Sequence, residues 1–251
     1  MITANLKSFH KILIAGLLFS GCGTSAPTPK CQAVIVLDKT SSMRYANQAR
    51  LEQKIAHNIE QTYAAARSDI QLSVLKIKSN TQVIPTFDRF EEKYPDEEDG
   101  GRTYEDEVRG WMAREKTWIS DEERQIDSLI ENPCMSRSTD IFSTFKGIQE
   151  TQKNHGPWDS VNVYILSDMI NTSGTVNLNY MTPNDTPFSK GKSACRDLIT
   201  QGQLSPGNTE NLRLIVYTPS NMQNSGPVIQ FWEGFFEQWG LKDSQYEFEN
   251  E

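Results

Sequence analysis

The chain has 251 residues, is 37% hydrophobic and 10% aromatic, and carries a formal net charge of −8, which is enough apolar material for one large α/β domain. The acidic balance and the absence of any Lys/Arg stripe exclude a general polyanion binder, because phosphate contacts depend on clustered cations. The balance becomes more negative still if Lys7 and Lys11 leave with an N-terminal leader.

The first 22 residues read as an address. Lys7, His10 and Lys11 form a basic segment, and Ile12 to Phe19 an apolar run too short to span a bilayer. The run ends in Phe19-Ser20-Gly21-Cys22, which resembles the bacterial lipoprotein processing box, with phenylalanine where leucine is usual. The resemblance implies that 1–21 is a signal peptide, that Cys22 is lipidated, and that the N-terminal lipid holds the chain to a membrane of the bacterial cell envelope. Gly23 in place of aspartate implies outer-membrane sorting in a Gram-negative host, facing the periplasm or the surface. An ordinary signal peptide with an accidental cysteine is the competing reading. Residues 22–31 follow as a polar, proline-containing tether.

Ala33-Val34-Ile35-Val36-Leu37 is an uninterrupted apolar run that stops at Asp38. Such a run predicts a strand buried on both faces, as in the centre of a parallel α/β sheet. Leu51, Ile55, Ile59 and Tyr63 then recur at intervals of four, predicting an amphipathic helix over 48–67. Residues 70–77 read as a second strand, and 81–87, with Pro85, as an edge strand entered by a hairpin. The composition shifts to acidic and glycine-rich over 88–107, a solvated excursion that lacks the calcium-loop ligand pattern. It opens an insertion running to about 133, most of which, from Glu105 to Glu131, is a predicted helix with Trp111 and Trp118 as packing residues.

Asn132-Pro133 closes that helix, and 140–151 predicts another with Ile141, Phe145 and Ile148 inward. Val161 to Leu166 is a second central strand, again followed by an aspartate, Asp168. A polar loop over 171–188, a short helix near 194–200 and a strand at 212–217 come next. The last helix starts near Pro227 and carries Val228, Ile229, Phe231, Trp232, Phe235, Phe236 and Trp239. Residues 32–241 thus make one domain, and 242–251 an acidic tail in which Tyr246 and Phe248 alternate as in a short edge strand. The expected fold is α/β: a doubly wound, Rossmann-like, mostly parallel sheet with one antiparallel edge strand and helices on both faces.

Asp38, Thr40 and Ser42 place one carboxylate and two hydroxyls at alternate positions after the first strand. Hard oxygen donors suit Mg²⁺, with Ca²⁺ or Mn²⁺ as alternatives. Thr139 stands before a helix and Asp168 after a central strand, so all five residues converge if the two strands are neighbours. This order resembles the von Willebrand factor A domain and its metal-ion-dependent adhesion site, with Thr40 in place of the first serine and Met169 in place of the glycine after the last aspartate. The resemblance covers about residues 32–240. It implies a non-enzymatic binding module that captures an acidic side chain of a protein partner through a metal held by Asp38, Thr40, Ser42, Thr139 and Asp168.

Two alternatives compete. Asp38 could be the nucleophile of a Mg²⁺-dependent phosphatase-like hydrolase, although Thr40 stands where such enzymes have a second aspartate as general acid. The chain could equally be a structural subunit of an envelope complex with a vestigial metal site. Ser-His-Asp catalysis is disfavoured, since neither His57 nor His155 lies beside a nucleophile elbow. Of the cysteines left after lipidation, Cys134 and Cys195 are expected at one end of the sheet and Cys31 at the other, which favours a Cys134–Cys195 disulfide.

Overall fold

The computed structural model describes residues 30–38, 40, 43, 69–77, 89–90, 95, 102–131, 138–174, 176–206, 209–219 and 225–250. The strands are β1 (Lys30–Asp38), β2 (Asp69–Ile77), β3 (Arg89–Phe90), β4 (Ser160–Leu166), β5 (Leu212–Thr218) and β6 (Tyr246–Asn250). The α-helices are α1 (Arg102–Glu131), α2 (Phe142–His155), α3 (Pro187–Thr200) and α4 (Ser225–Trp239). The fold is α/β. One sheet runs in the order β3-β2-β1-β4-β5-β6.

β1 pairs in parallel with both β2 and β4, β4 with β5, and β5 with β6. Arg89–Phe90 adds a two-residue antiparallel pairing with Ile70 and Gln71. The edge strand expected over 81–87 and the helix expected over 48–67 lie outside the described residues. The C-terminal stretch is more than a tail: Leu214↔Tyr246 through Thr218↔Asn250 close the sheet as a parallel strand.

The unbroken apolar run of β1 has the reason the sequence suggested. Val34 and Val36, with Val163 and Ile165 of β4 and Leu214 and Val216 of β5, look into one layer. There they meet Phe145 and Ile148 of α2 and Phe231, Trp232, Phe235 and Phe236 of α4. Ile35, Leu37, Tyr164 and Tyr217 alternate to the opposite face and are buried there too. Each Phe or Leu so buried contributes roughly 1.5–3 kcal/mol. Asp38 shares the parity of Val34 and Val36, so it ends the strand on the face that carries α2 and α4.

The helix expected near 194–200 begins earlier, at Pro187, a residue suited to a first helical turn. Gly191 reads as a weak point in a helix. In the fold it is where α3 meets α4: a Cβ there would lie 1.9 Å from the Phe231 carbonyl oxygen. The contact is reciprocal, because a Cβ on Gly234 would lie 2.1 Å from the Phe188 carbonyl oxygen. Two glycines let the backbones touch.

Candidate metal centre at the carboxyl ends of β1 and β4

In this strand order the chain winds one way from β1 to β3 and the other way from β4 to β6. The crevice outside the carboxyl ends of β1 and β4 is therefore the topological switch point, where open α/β sheets place their ligands. Leu37 pairs with Leu166, so the next residues, Asp38 and Ser167, leave the sheet side by side.

Asp38 is 1% exposed. Its Oδ1 accepts from the Thr40 backbone N–H at 2.9 Å, and its Oδ2 from the Ser167 hydroxyl at 2.6 Å. The Ser167 hydroxyl in turn accepts from the Met169 N–H at 2.9 Å. Asp168, also buried, turns its Oδ1 to the Ile170 N–H at 3.0 Å. Met169 holds φ at 56°, in the left-handed region that favours glycine. That is the position where the resemblance expects glycine. The methionine keeps the backbone shape and adds a side chain buried in the main core, while its carbonyl accepts from the Trp232 indole N–H at 2.8 Å.

The second loop reaches the same rim through the third. The Thr139 N–H donates to the Thr172 hydroxyl at 2.8 Å, and the Thr139 carbonyl accepts from the N–H groups of Thr172 and Ser173 at 3.0 and 3.2 Å. Asn171, wholly buried, fastens the pair: its Oδ1 accepts from the Ile141 N–H at 3.0 Å. Its amide donates to the carbonyls of Ser173 and Val176, both at 2.7 Å. Neither Asn171 nor Ser167 stands out in the sequence. For Ser167 the available signal was its register beside Asp38.

Burial, and then the charge of Asp168, push the Asp38 carboxyl up from 3.8 to about 6, against the hydrogen bonds from Ser167 and Thr40. Among the described residues, the groups acting on it are hydroxyls, one N–H and a second carboxylate, and none is a cation. Such a set fits a hard divalent cation, which would offset both the burial and the repulsion. Among the described residues no three His, Cys, Asp or Glu side chains cluster. The expected donor set has only two carboxylates, the remainder being hydroxyls.

Of the expected ligands, Asp38, Thr40, Thr139 and Asp168 are all buried at this end of the sheet. Ser42 lies outside the described residues, as does Cys22. Cys195 is a free thiol in α3, pushed up to about 12 by burial, and its expected partner Cys134 lies outside the described residues. Cys31 sits at the opposite end of β1, where its sulfur accepts from the Ser160 hydroxyl at 3.0 Å.

No family model matches the chain, and no curated protein matches it. Among solved structures it is similar to two crystal forms of proximal thread matrix protein 1 from the mussel byssus. Both have a TM-score of 0.46 and 12% identity over 88% of this chain. A mutant of the PilB minor pilin from Streptococcus sanguinis gives 0.44, with 9% identity over 91% of this chain. The chain spans 44% and 43% of the mussel proteins and 59% of the pilin. Likeness at this level carries nothing about chemistry, which rests on the rim alone.

Proposed function

We propose that this chain is a lipid-anchored, envelope-facing binding module of the von Willebrand factor A kind, which captures an acidic side chain of a protein partner through a divalent cation, Mg²⁺ in the first instance. The finer reading of the fold, with helices on both faces and an antiparallel edge strand, belongs to the same proposal. The observation that carries it is the buried Asp38 carboxylate, set beside the charge of Asp168 and met, among the described residues, by hydroxyls and an N–H.

Asp38, Thr40, Thr139 and Asp168, with Ser42, would hold the cation directly or through water, and the bound cation would supply an electrophilic position for an incoming carboxylate oxygen. The chain's own residues supply the geometry. The Thr40 N–H and Ser167 hydroxyl fix the plane of the Asp38 carboxylate. Asn171 holds the loop of Thr139 against the loop that follows Asp168. The hydroxyl donors add no negative charge beyond the two carboxylates, so the cation is not over-neutralised and its open position would still attract a partner's carboxylate oxygen. No catalytic residue is assigned.

The test is thermal unfolding with Mg²⁺ and with chelator. Mg²⁺ at about one hundred times its dissociation constant should stabilise the wild type by about 2.7 kcal/mol and leave Asp38→Ala unmoved. Wild-type stability and partner capture indifferent to Mg²⁺, chelator and Asp38→Ala would refute the reading. The anchor is checked separately, by fatty-acid labelling that Cys22→Ser should abolish.

A further inference from the structure

A cleft of about 620 Å³ opens between the first turn of α2, the loop residues Ser173, Gly174 and Val176, and the carboxyl half of α3. That is the size of a small-ligand site. It adjoins the rim: Asp140, which follows Thr139 directly, and Ser173, whose N–H donates to the Thr139 carbonyl, both line it. A partner whose carboxylate engaged the rim would therefore have neighbouring atoms at the mouth of this cleft.

The lining selects the chemistry of those atoms. Among the described residues, Asp140 and Asp197 contribute two carboxylates against one cation, Lys146, whose Nζ already lies 3.8 Å from Glu150. The Asp140 oxygens accept from the Ser143 N–H and hydroxyl, so Asp197 is the carboxylate that meets an incoming head group. Asp197 is exposed at the end of α3. Gln201 accepts from the Gln203 amide at 3.1 Å, which leaves the Gln203 carbonyl oxygen as a further acceptor beside it. Phe142, Val176 and Leu198 are half-buried and form an apolar wall. An apolar wall leading to a carboxylate and an amide oxygen matches an aliphatic stem with a cationic head. We propose that this cleft is a specificity pocket for an arginine or lysine side chain flanking the partner's acidic residue. The acidic half of that partner rests on the function proposed above; the cationic half rests on the cleft.

The test uses fluorescein-labelled peptides Gly-Asp-(Gly)n-Arg-Gly, with zero to three spacer glycines, titrated with the whole chain in Mg²⁺ buffer. Matched peptides carry norleucine or glutamate in place of arginine. The best arginine peptide should bind about tenfold more tightly than its norleucine counterpart, since a charge-assisted hydrogen bond is at stake. Asp197→Asn, an exposed position whose fold is checked by its melting curve, should erase that preference. Equal binding of arginine and norleucine peptides, a preference that survives Asp197→Asn, or no binding by any peptide would each overturn the proposal. A chelator arm separates the two readings. Arginine preference without metal leaves the cleft standing and removes the metal reading, whereas Mg²⁺-dependent binding without arginine preference does the reverse.

Discussion

Replacing Asp38 by asparagine should make the metal-free protein more stable at pH 7.5 while abolishing its response to Mg²⁺. A carboxyl raised from 3.8 to about 6 loses about 3 kcal/mol of folded stability when it ionises. The direction is fixed by proton counting. Between about pH 4 and 6 the folded chain holds a proton that the unfolded chain has released, so stability falls as pH rises across that window and is flat above it. Asparagine carries no charge to penalise, but it fits the local bonds less well. The Ser167 hydroxyl donates to Asp38 Oδ2 and already accepts from the Met169 N–H. Facing an amide NH₂ it must accept twice, and its own proton loses a partner, a loss of about 1 kcal/mol. The net gain above pH 6 is therefore about 2 kcal/mol, a rise of roughly 4–8 °C in Tm for a domain of this size. It should shrink to zero at about pH 4.5 and turn into a small loss below that, where only the poorer local bonds remain. Urea unfolding of both proteins in chelator, from pH 4 to 8, reads the difference directly. A variant less stable than wild type at pH 7.5, or a difference that does not change with pH, would refute the electrostatic account of the rim.

Asn171→Ala should destabilise the chain by about 2–3 kcal/mol, because the Ile141 N–H and two carbonyls lose their partner at once; the Mg²⁺-induced Tm shift should shrink with it. Gly191→Ala should lower stability by about 1–3 kcal/mol despite alanine's better helix propensity, since the new methyl lands on the Phe231 carbonyl. Gly226→Ala, in α4 with nothing within 4 Å, is the control and should be neutral or slightly stabilising in the same melting experiment.

The parts of the fold written in short-range pattern were legible. The apolar run before Asp38, the stripe of Phe145 and Ile148, and the aromatic face of α4 each state their own burial. Asp38, Thr40, Thr139 and Asp168 could be named because each sits where a strand ends or a helix starts, and they are indeed buried at one end of the sheet. What stayed hidden is tertiary. Asn171 matters through an N–H thirty residues away, and no periodicity marks such a bond. α3 begins at Pro187, ahead of the expected 194, and takes in Gly191, where a helix-breaking propensity and a close helix crossing leave the same letter in the sequence. The 171–188 loop read as featureless, yet it holds two short 3-10 turns, Leu178–Tyr180 and Pro183–Asp185, whose hydrogen bonds are local and leave only scattered Asn, Pro and Asp as a signature.

The backbone contact at Gly191 and Gly234 bears on how the rim meets a partner. With no side chains between them, α3 and α4 have little room to slide, and α3 is the far anchor of the segment that leaves β4 at Ser167. That segment is held at its near end by the Ser167–Asp38 bond and along its length by Asn171 and the two 3-10 turns. Its conformational freedom is spent during folding. On this side of the rim a visitor thus encounters a surface already ordered, and little of its binding energy is consumed in freezing that segment.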